Sequence, residues 1–175
     1  MFTRILVPTD FSGPSDAALQ YARTVATKFG GTLHLLHVIE DPYRAAYATE
    51  VYVPEVTGLR DDLVADAKVR LQALLSQADV SRLGATADAT IGTPAWTIVE
   101  YATGHGIDLI VMGTHGRGGV SHLLMGSVAE RVVRTAPCPV LTTRGEFAEP
   151  NAATTRDEAV EVPPAMLESS TADRC

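Results

Sequence analysis

Apolar and polar residues alternate in blocks along this chain, with short β-branched runs followed by stretches of helical spacing. Arg4-Ile5-Leu6-Val7 reads as a first strand, ended by Pro8, which cannot donate to a ladder. A helix capped by Ser12 or Ser15 then reaches about Phe29. Its Ala18, Leu19, Ala22, Val25, Ala26 and Phe29 recur at spacings of three and four. Gly30-Gly31 closes it. Thr32 to Ile39 predicts a second strand, and the loop from Glu40 to about Pro54 has no clear period. Val56 to Ala78 predicts one long amphipathic helix, its core marked by Leu59, Leu63, Ala67, Leu71, Leu74 and Leu75. A third strand over Ala85 to Ile91 turns through Gly92-Thr93-Pro94 into a short helix, Ala95 to Thr103. Ile107 to Met112 predicts the fourth strand, Ser127 to Thr135 the fourth helix and Pro139 to Thr143 the fifth strand.

Strands alternating with helices imply an α/β, doubly wound domain, a mostly parallel sheet covered by helices on both faces. At 175 residues the chain suits one domain with a full core. The net charge of −7 is uneven, because residues 146–175 carry −5 and the body only −2. A nearly neutral body without a basic stripe argues against nucleic acid as the main partner. Two cysteines, Cys138 and Cys175, offer neither a disulfide framework nor metal-ligand spacing. The first ten residues read as a strand and turn rather than a signal peptide, and no apolar run approaches a membrane span. The chain therefore reads as soluble and cytoplasmic.

The candidate chemistry lies between Asp108 and Ser127. An apolar run, Leu109-Ile110-Val111-Met112, stops at Gly113, and Gly116, Gly118 and Gly119 follow before Gly126-Ser127 opens a helix. Glycines let backbone N–H groups approach an anion, and a helix start offers unpaired donors with a partial positive charge. Arg117 adds a fixed cation, and Ser127 can cap the helix or donate to a phosphate. A Walker loop is excluded because no lysine precedes Ser127. A dinucleotide fingerprint would follow the first strand rather than the fourth.

What the residues spell is Gly113-x2-Gly116-x9-Gly126-Ser127, which resembles the nucleotide-binding signature of the universal stress protein family, in its ATP-binding branch. The opening ILVPTDFS, the second strand ending in His37-Val38, and the closing SVAERVVRTAPCPVLTTR extend the resemblance over Met1 to about Arg144. It implies a five-stranded sheet of order 3-2-1-4-5 and a domain over residues 1–145. The resemblance also implies an ATP ligand, with Mg2+ carried on the phosphates. The tail over 146–175 departs from what the family requires; acidic, poor in aromatics and studded with Pro150, Pro163 and Pro164, it is expected to be disordered. Asp10 matches a ribose or metal-bound-water position, though an aspartate there also caps the next helix. Val38 matches the residue whose backbone reads adenine, and Pro8, Thr9, Met112 and Val128 match walls; each is equally explicable as packing. Gly113, His115, Gly116, Arg117, Gly126 and Ser127 complete the phosphate side.

Three functions follow in order of preference. The first is an ATP-binding stress regulator with slow hydrolysis at most, since no residue near the loop is an evident base. The second is an adenylate-type enzyme of the related nucleotide α-hydrolase superfamily, for which Ser12-Gly13-Pro14-Ser15-Asp16 is only a loose likeness of a pyrophosphatase loop. The third is a dimeric interaction module without nucleotide. His34 and His37 point to opposite faces of their strand, and no protein-built metal site is expected. Pro137 and Pro139 mark the fifth strand as an edge, so Val140 to Thr143 is expected to pair with its twin in a homodimer.

Overall fold

The computed structural model describes residues 2–43, 57–114 and 126–144. In chain order the elements are β1 (Arg4–Pro8), α1 (Gly13–Phe29), β2 (Thr32–Ile39), α2 (Leu59–Leu74), α3 (Gln77–Leu83), β3 (Thr86–Ile91), α4 (Pro94–Gly104), β4 (Leu109–Gly113), α5 (Ser127–Thr135) and β5 (Val140–Thr143). The five strands form one sheet in the order β3-β2-β1-β4-β5, and each neighbouring pair is parallel. This is the order the resemblance implied.

Strand residues alternate between two buried layers, as a sheet covered on both sides requires. Ile5, Val7, Leu33, Leu35, Leu109 and Val111 face α1, α2 and α3, where Ala18, Ala22, Ala67, Leu71 and Leu83 meet them. Leu6, Leu36, Ile110 and Met112 face α4 and α5 through Ile98, Ala102, Ala129 and Val132. Asp108 ties down the start of the chain, accepting Thr3 N–H, Thr3 Oγ1–H and Arg4 N–H between 2.7 and 3.1 Å.

One expected element divides in two. The helix expected over Val56 to Ala78 ends at Leu74, where Leu75 turns extended at φ −92° and ψ 125°. A second helix then starts from Ser76, whose Oγ accepts Asp79 N–H at 3.2 Å while the Asp79 carboxylate takes Ser76 N–H at 2.7 Å. Gly84 ends α3 in the left-handed conformation, φ 52°. Arg23 of α1 clamps the corner. Its Nε and Nη2 donate to the two Asp79 oxygens at 3.0 and 2.8 Å, and Nη2 also reaches the Leu74 carbonyl at 2.7 Å. Of the six expected core positions only Ala67 and Leu71 are buried.

The expected loop from Glu40 begins within the described residues. Arg60 pairs with Asp41 at 2.9 Å and lies over the ring of buried Tyr43 at 5.4 Å. Residues 44–56 lie outside the described set.

Candidate functional site

The parallel ladder opens a crevice where β1 and β4 part. They pair only through Ile5 with Leu109 and Leu6 with Ile110. Beyond that point β1 continues against β2 as far as Pro8 with Leu36, and β4 continues against β5 as far as Gly113 with Thr143. Proline contributes to the split. Thr9 N–H donates toward β2, to Leu36 O at 2.9 Å, so the preceding nitrogen faces β4. There Pro8 has no hydrogen to give. The gap lies at the carboxyl ends of the strands where strand order reverses, the place at which open α/β sheets take ligands.

Asp10 stands on the β1 side of this gap. Its Oδ1 accepts the backbone N–H of Ser12 at 3.2 Å and the Ser12 hydroxyl, which orients the carboxylate over the start of α1. The helix-capping role considered for Asp10 is thus partly real, although Ser12 itself occupies the N-cap position. Thr9, buried, links the same turn. Ser15 Oγ donates to Ser12 O at 2.8 Å, so in the 3.0 Å contact between the hydroxyls Thr9 is the donor. Thr9 Oγ1 in turn accepts Phe11 N–H at 3.0 Å.

Phe11 is the residue that sequence reasoning missed. Among the described residues it is the only non-glycine with positive φ, at 63°, a conformation costing about 1–2 kcal/mol for a side chain of this kind. Its ring lies 4.5 Å from that of His37, centroid to centroid, and the Arg70 guanidinium sits 3.9 Å above it. His37 Nδ1 donates to the Thr9 carbonyl at 2.7 Å. His34 does point to the other face, as expected. Its Nδ1 meets Tyr101 Oη at 3.3 Å, and Tyr101 stacks on His105 at 3.8 Å. Burial, then His105, then Arg4 hold the His34 imidazole below its ordinary range.

On the β4 side, Thr114 N–H donates to Thr143 O at 3.0 Å and Thr114 O accepts Gly126 N–H at 2.7 Å. The chain therefore leaves the sheet at Thr114 and returns to the same point at Gly126, the residue just before α5. Gly126 occupies the N-cap position and makes no side-chain cap, so the capping role considered for Ser127 is not observed. Ser127 is the exposed first residue of the helix. Buried Met112 belongs to the apolar cluster under α4 and α5, and Val38 and Val128 pack against that same cluster, so two expected wall residues and the expected adenine-reading position share one face of the sheet. Pro8 is buried at the end of β1. His115, Gly116 and Arg117 lie outside the described residues.

Gly113 has a packing reason to be glycine. A Cβ there would lie 2.9 Å from Pro14 Cβ and 3.0 Å from both Pro14 C and O. Its missing side chain lets the first turn of α1 press against the end of β4 and close the floor of the crevice. Pro14 belongs to that helical turn, consistent with reading residues 12–16 as a helix start. Among the described residues no group of three His, Cys, Asp or Glu side chains gathers as a metal site. No described helix is long and apolar enough to cross a membrane.

Comparison with known proteins agrees with this architecture. A universal stress protein from Thermus aquaticus is 37% identical over 146 residues, spanning 82% of this chain and all of its own. The solved structure of the protein MJ0577 of Methanocaldococcus jannaschii is 28% identical. It covers 85% of this chain and 99% of its own with a TM-score of 0.68. An Archaeoglobus fulgidus universal stress protein solved in complex with dAMP shares the fold at 22% identity and a TM-score of 0.53, covering 81% and 97%. The family model described as "Universal stress protein family" matches residues 1–144, and the chain belongs to that family.

Proposed function

We propose that this protein is an ATP-binding universal stress protein, a regulator that senses or holds adenine nucleotide and turns it over slowly at most. The observation that carries the reading is the pinning of Thr114 to Gly126 at the mouth of the β1–β4 crevice. Both ends of the glycine-rich segment are thereby set beside a helix start, opposite Asp10. Unpaired N–H groups at the start of α5 and the Ser127 hydroxyl suit phosphate oxygens. Asp10 suits a ribose hydroxyl or a water on phosphate-borne Mg2+. Val38 and Met112 would give a base an apolar setting, with Val128 packed against the same cluster. His115, Gly116 and Arg117 join the phosphate side on the strength of their spacing. A dAMP complex in a relative 22% identical speaks for the fold. The ligand reading rests on the residues of this chain.

The same proposal includes a homodimer through β5. That strand is an edge, four residues long, with Leu141 39% exposed. An uncovered edge favours pairing about a two-fold axis. Residues 146–175 enter as a dispensable acidic tail, and the setting is taken as cytoplasmic. Mass spectrometry of nucleotide released from freshly purified protein tests the ligand. Adenine nucleotide near one per chain supports the reading, and a nucleotide-free protein that also ignores added ATP overturns it. Light scattering at micromolar concentration tests the dimer, which a monomeric mass would rule out.

A further inference from the structure

The turn after β1 is held from beneath by side chains that do not belong to it. Thr9 is gripped at both ends of its peptide by β2, its N–H by Leu36 O at 2.9 Å and its carbonyl by His37 Nδ1 at 2.7 Å. The carbonyl can only accept, so Nδ1 carries the proton and the His37 tautomer is set. One residue further along stands Asp10, and one beyond that Phe11 in its left-handed conformation. The Phe11 ring meets the His37 ring at 4.5 Å, tilted by 49°, and has the Arg70 guanidinium over it at 3.9 Å. A phenylalanine keeps positive φ only where its surroundings over-determine it, and here those surroundings come from β2 and α2.

The backbone turn at Phe11 determines where Asp10 points. If Phe11 relaxed to negative φ, the chain between Thr9 and Ser12 would take another path. The contacts from Ser12 N–H and Oγ to Asp10 Oδ1 would then be lost together. These contacts lie on the α2 face of the sheet, with Phe11 packed against the cluster that contains Val7, Leu35 and Leu71. They are thus separate from the apolar cluster of Val38 and Met112 on the other face.

We propose that His37 and Arg70 are positioning residues for nucleotide recognition. Through Phe11 they hold Asp10 in the pose that meets the sugar of the nucleoside, and so they select a nucleoside triphosphate over bare polyphosphate. This rests on the nucleotide reading above. It adds a specificity device on α2 and β2, outside the glycine-rich segment.

Calorimetry with ATP and with inorganic triphosphate, on the full chain, tests it. Arg70→Ala and His37→Ala should each weaken ATP by about three- to tenfold, the size of a lost cation–π contact or hydrogen bond. Triphosphate affinity should stay within about twofold, because its contacts lie across the crevice. Arg70→Lys keeps a cation over the ring and should restore most of the loss. In an Asp10→Ala background Arg70→Ala should have no further effect, since the residue it positions is gone. A parallel readout needs no ligand. The amide resonances of Asp10 and Ser12 should shift in Arg70→Ala while those of Ser127 and Val128 stay in place. Equal losses for both ligands, additivity with Asp10→Ala, or unmoved Asp10 and Ser12 resonances would each overturn the proposal. Failure of the wild-type protein to bind ATP, with the resonance shifts intact, would refute the nucleotide reading and the selection built on it, leaving only the positioning of Asp10.

Discussion

Replacing Gly113 by alanine isolates the part of the crevice that is built by packing. The new Cβ would meet Pro14 Cβ at 2.9 Å and the Pro14 carbonyl carbon and oxygen at 3.0 Å. Ordinary contact begins about half an ångström further out. None of these atoms is the far end of a flexible side chain. They are the ring and backbone of the first turn of α1, itself tied through Ser12, Ser15 and Thr9 to the end of β1. Either the helix start or the end of β4 must shift, an overpacking cost of about 1–3 kcal/mol. At about 2–4 °C per kcal/mol for a domain of this size, the melting temperature should fall by roughly 2–12 °C. The measurement is a thermal melt without added nucleotide, with urea unfolding to confirm an unchanged slope. Because the clash is internal, the loss should appear in protein stripped of ligand. A variant as stable as wild type in that state would show that Gly113 is glycine for some reason other than its approach to Pro14.

Asp79→Ala removes the Arg23 fork and the carboxylate half of the α3 capping box, keeps the Ser76 Oγ bond to the backbone N–H of that position, and leaves a half-buried guanidinium without its carboxylate. Thermal unfolding should show a loss of about 3–5 kcal/mol, and a change under 1 kcal/mol would mean the corner is held elsewhere. Burial raises the Asp79 carboxyl, but hydrogen bonds from Arg23 and Ser76 outweigh it and leave its affinity for protons below the ordinary value of 3.8. Its stabilisation is therefore present above that value and lost as pH falls through the lower folded-state range. His34 titrates with the same direction of loss. Burial, His105 and Arg4 depress it, so the unfolded chain takes the proton more readily, and stability should fall as pH drops below about 6.5. Urea midpoints at pH 7.5 and 5.5 should differ less in His34→Gln than in wild type, and equal differences would exclude His34 as a source. Ser127→Ala should weaken ATP by about ten- to a hundredfold, through one hydrogen bond to a charged oxygen, without moving the melting temperature of ligand-free protein. Unchanged affinity by calorimetry would remove Ser127 from the site.

The strands were legible because each is a short apolar run ended by proline, glycine or a polar turn, and all five emerge within two residues of expectation at each end. Their order was carried by the family resemblance, since hydrophobic period is silent about neighbours. The break between α2 and α3 was not read from the pattern. Leu71, Leu74 and Leu75 keep helical spacing up to Ser76, and the contrary signal was local: Ser76 and Asp79 at capping-box spacing, with Gly84 beyond. Gly113 was read as a phosphate glycine, while the structure gives it a neighbour no sequence pattern reveals, Pro14 from a distant turn. Phe11 left no mark at all. Positive φ is ordinarily signalled by glycine or asparagine, and here tertiary contacts from His37 and Arg70 impose it on an aromatic residue.

Calorimetric titration of wild type and Gly126→Val with ATP bears most directly on the nucleotide reading. Gly126 lies just before α5 and is hydrogen-bonded to Thr114 at the mouth of the crevice, so a branched side chain there would occupy the space where phosphate meets the helix start. Saturable binding of ATP by wild type, reduced beyond detection in Gly126→Val while the ligand-free variant keeps its fold, is the predicted result. Equal ATP affinity in the two proteins would contradict it.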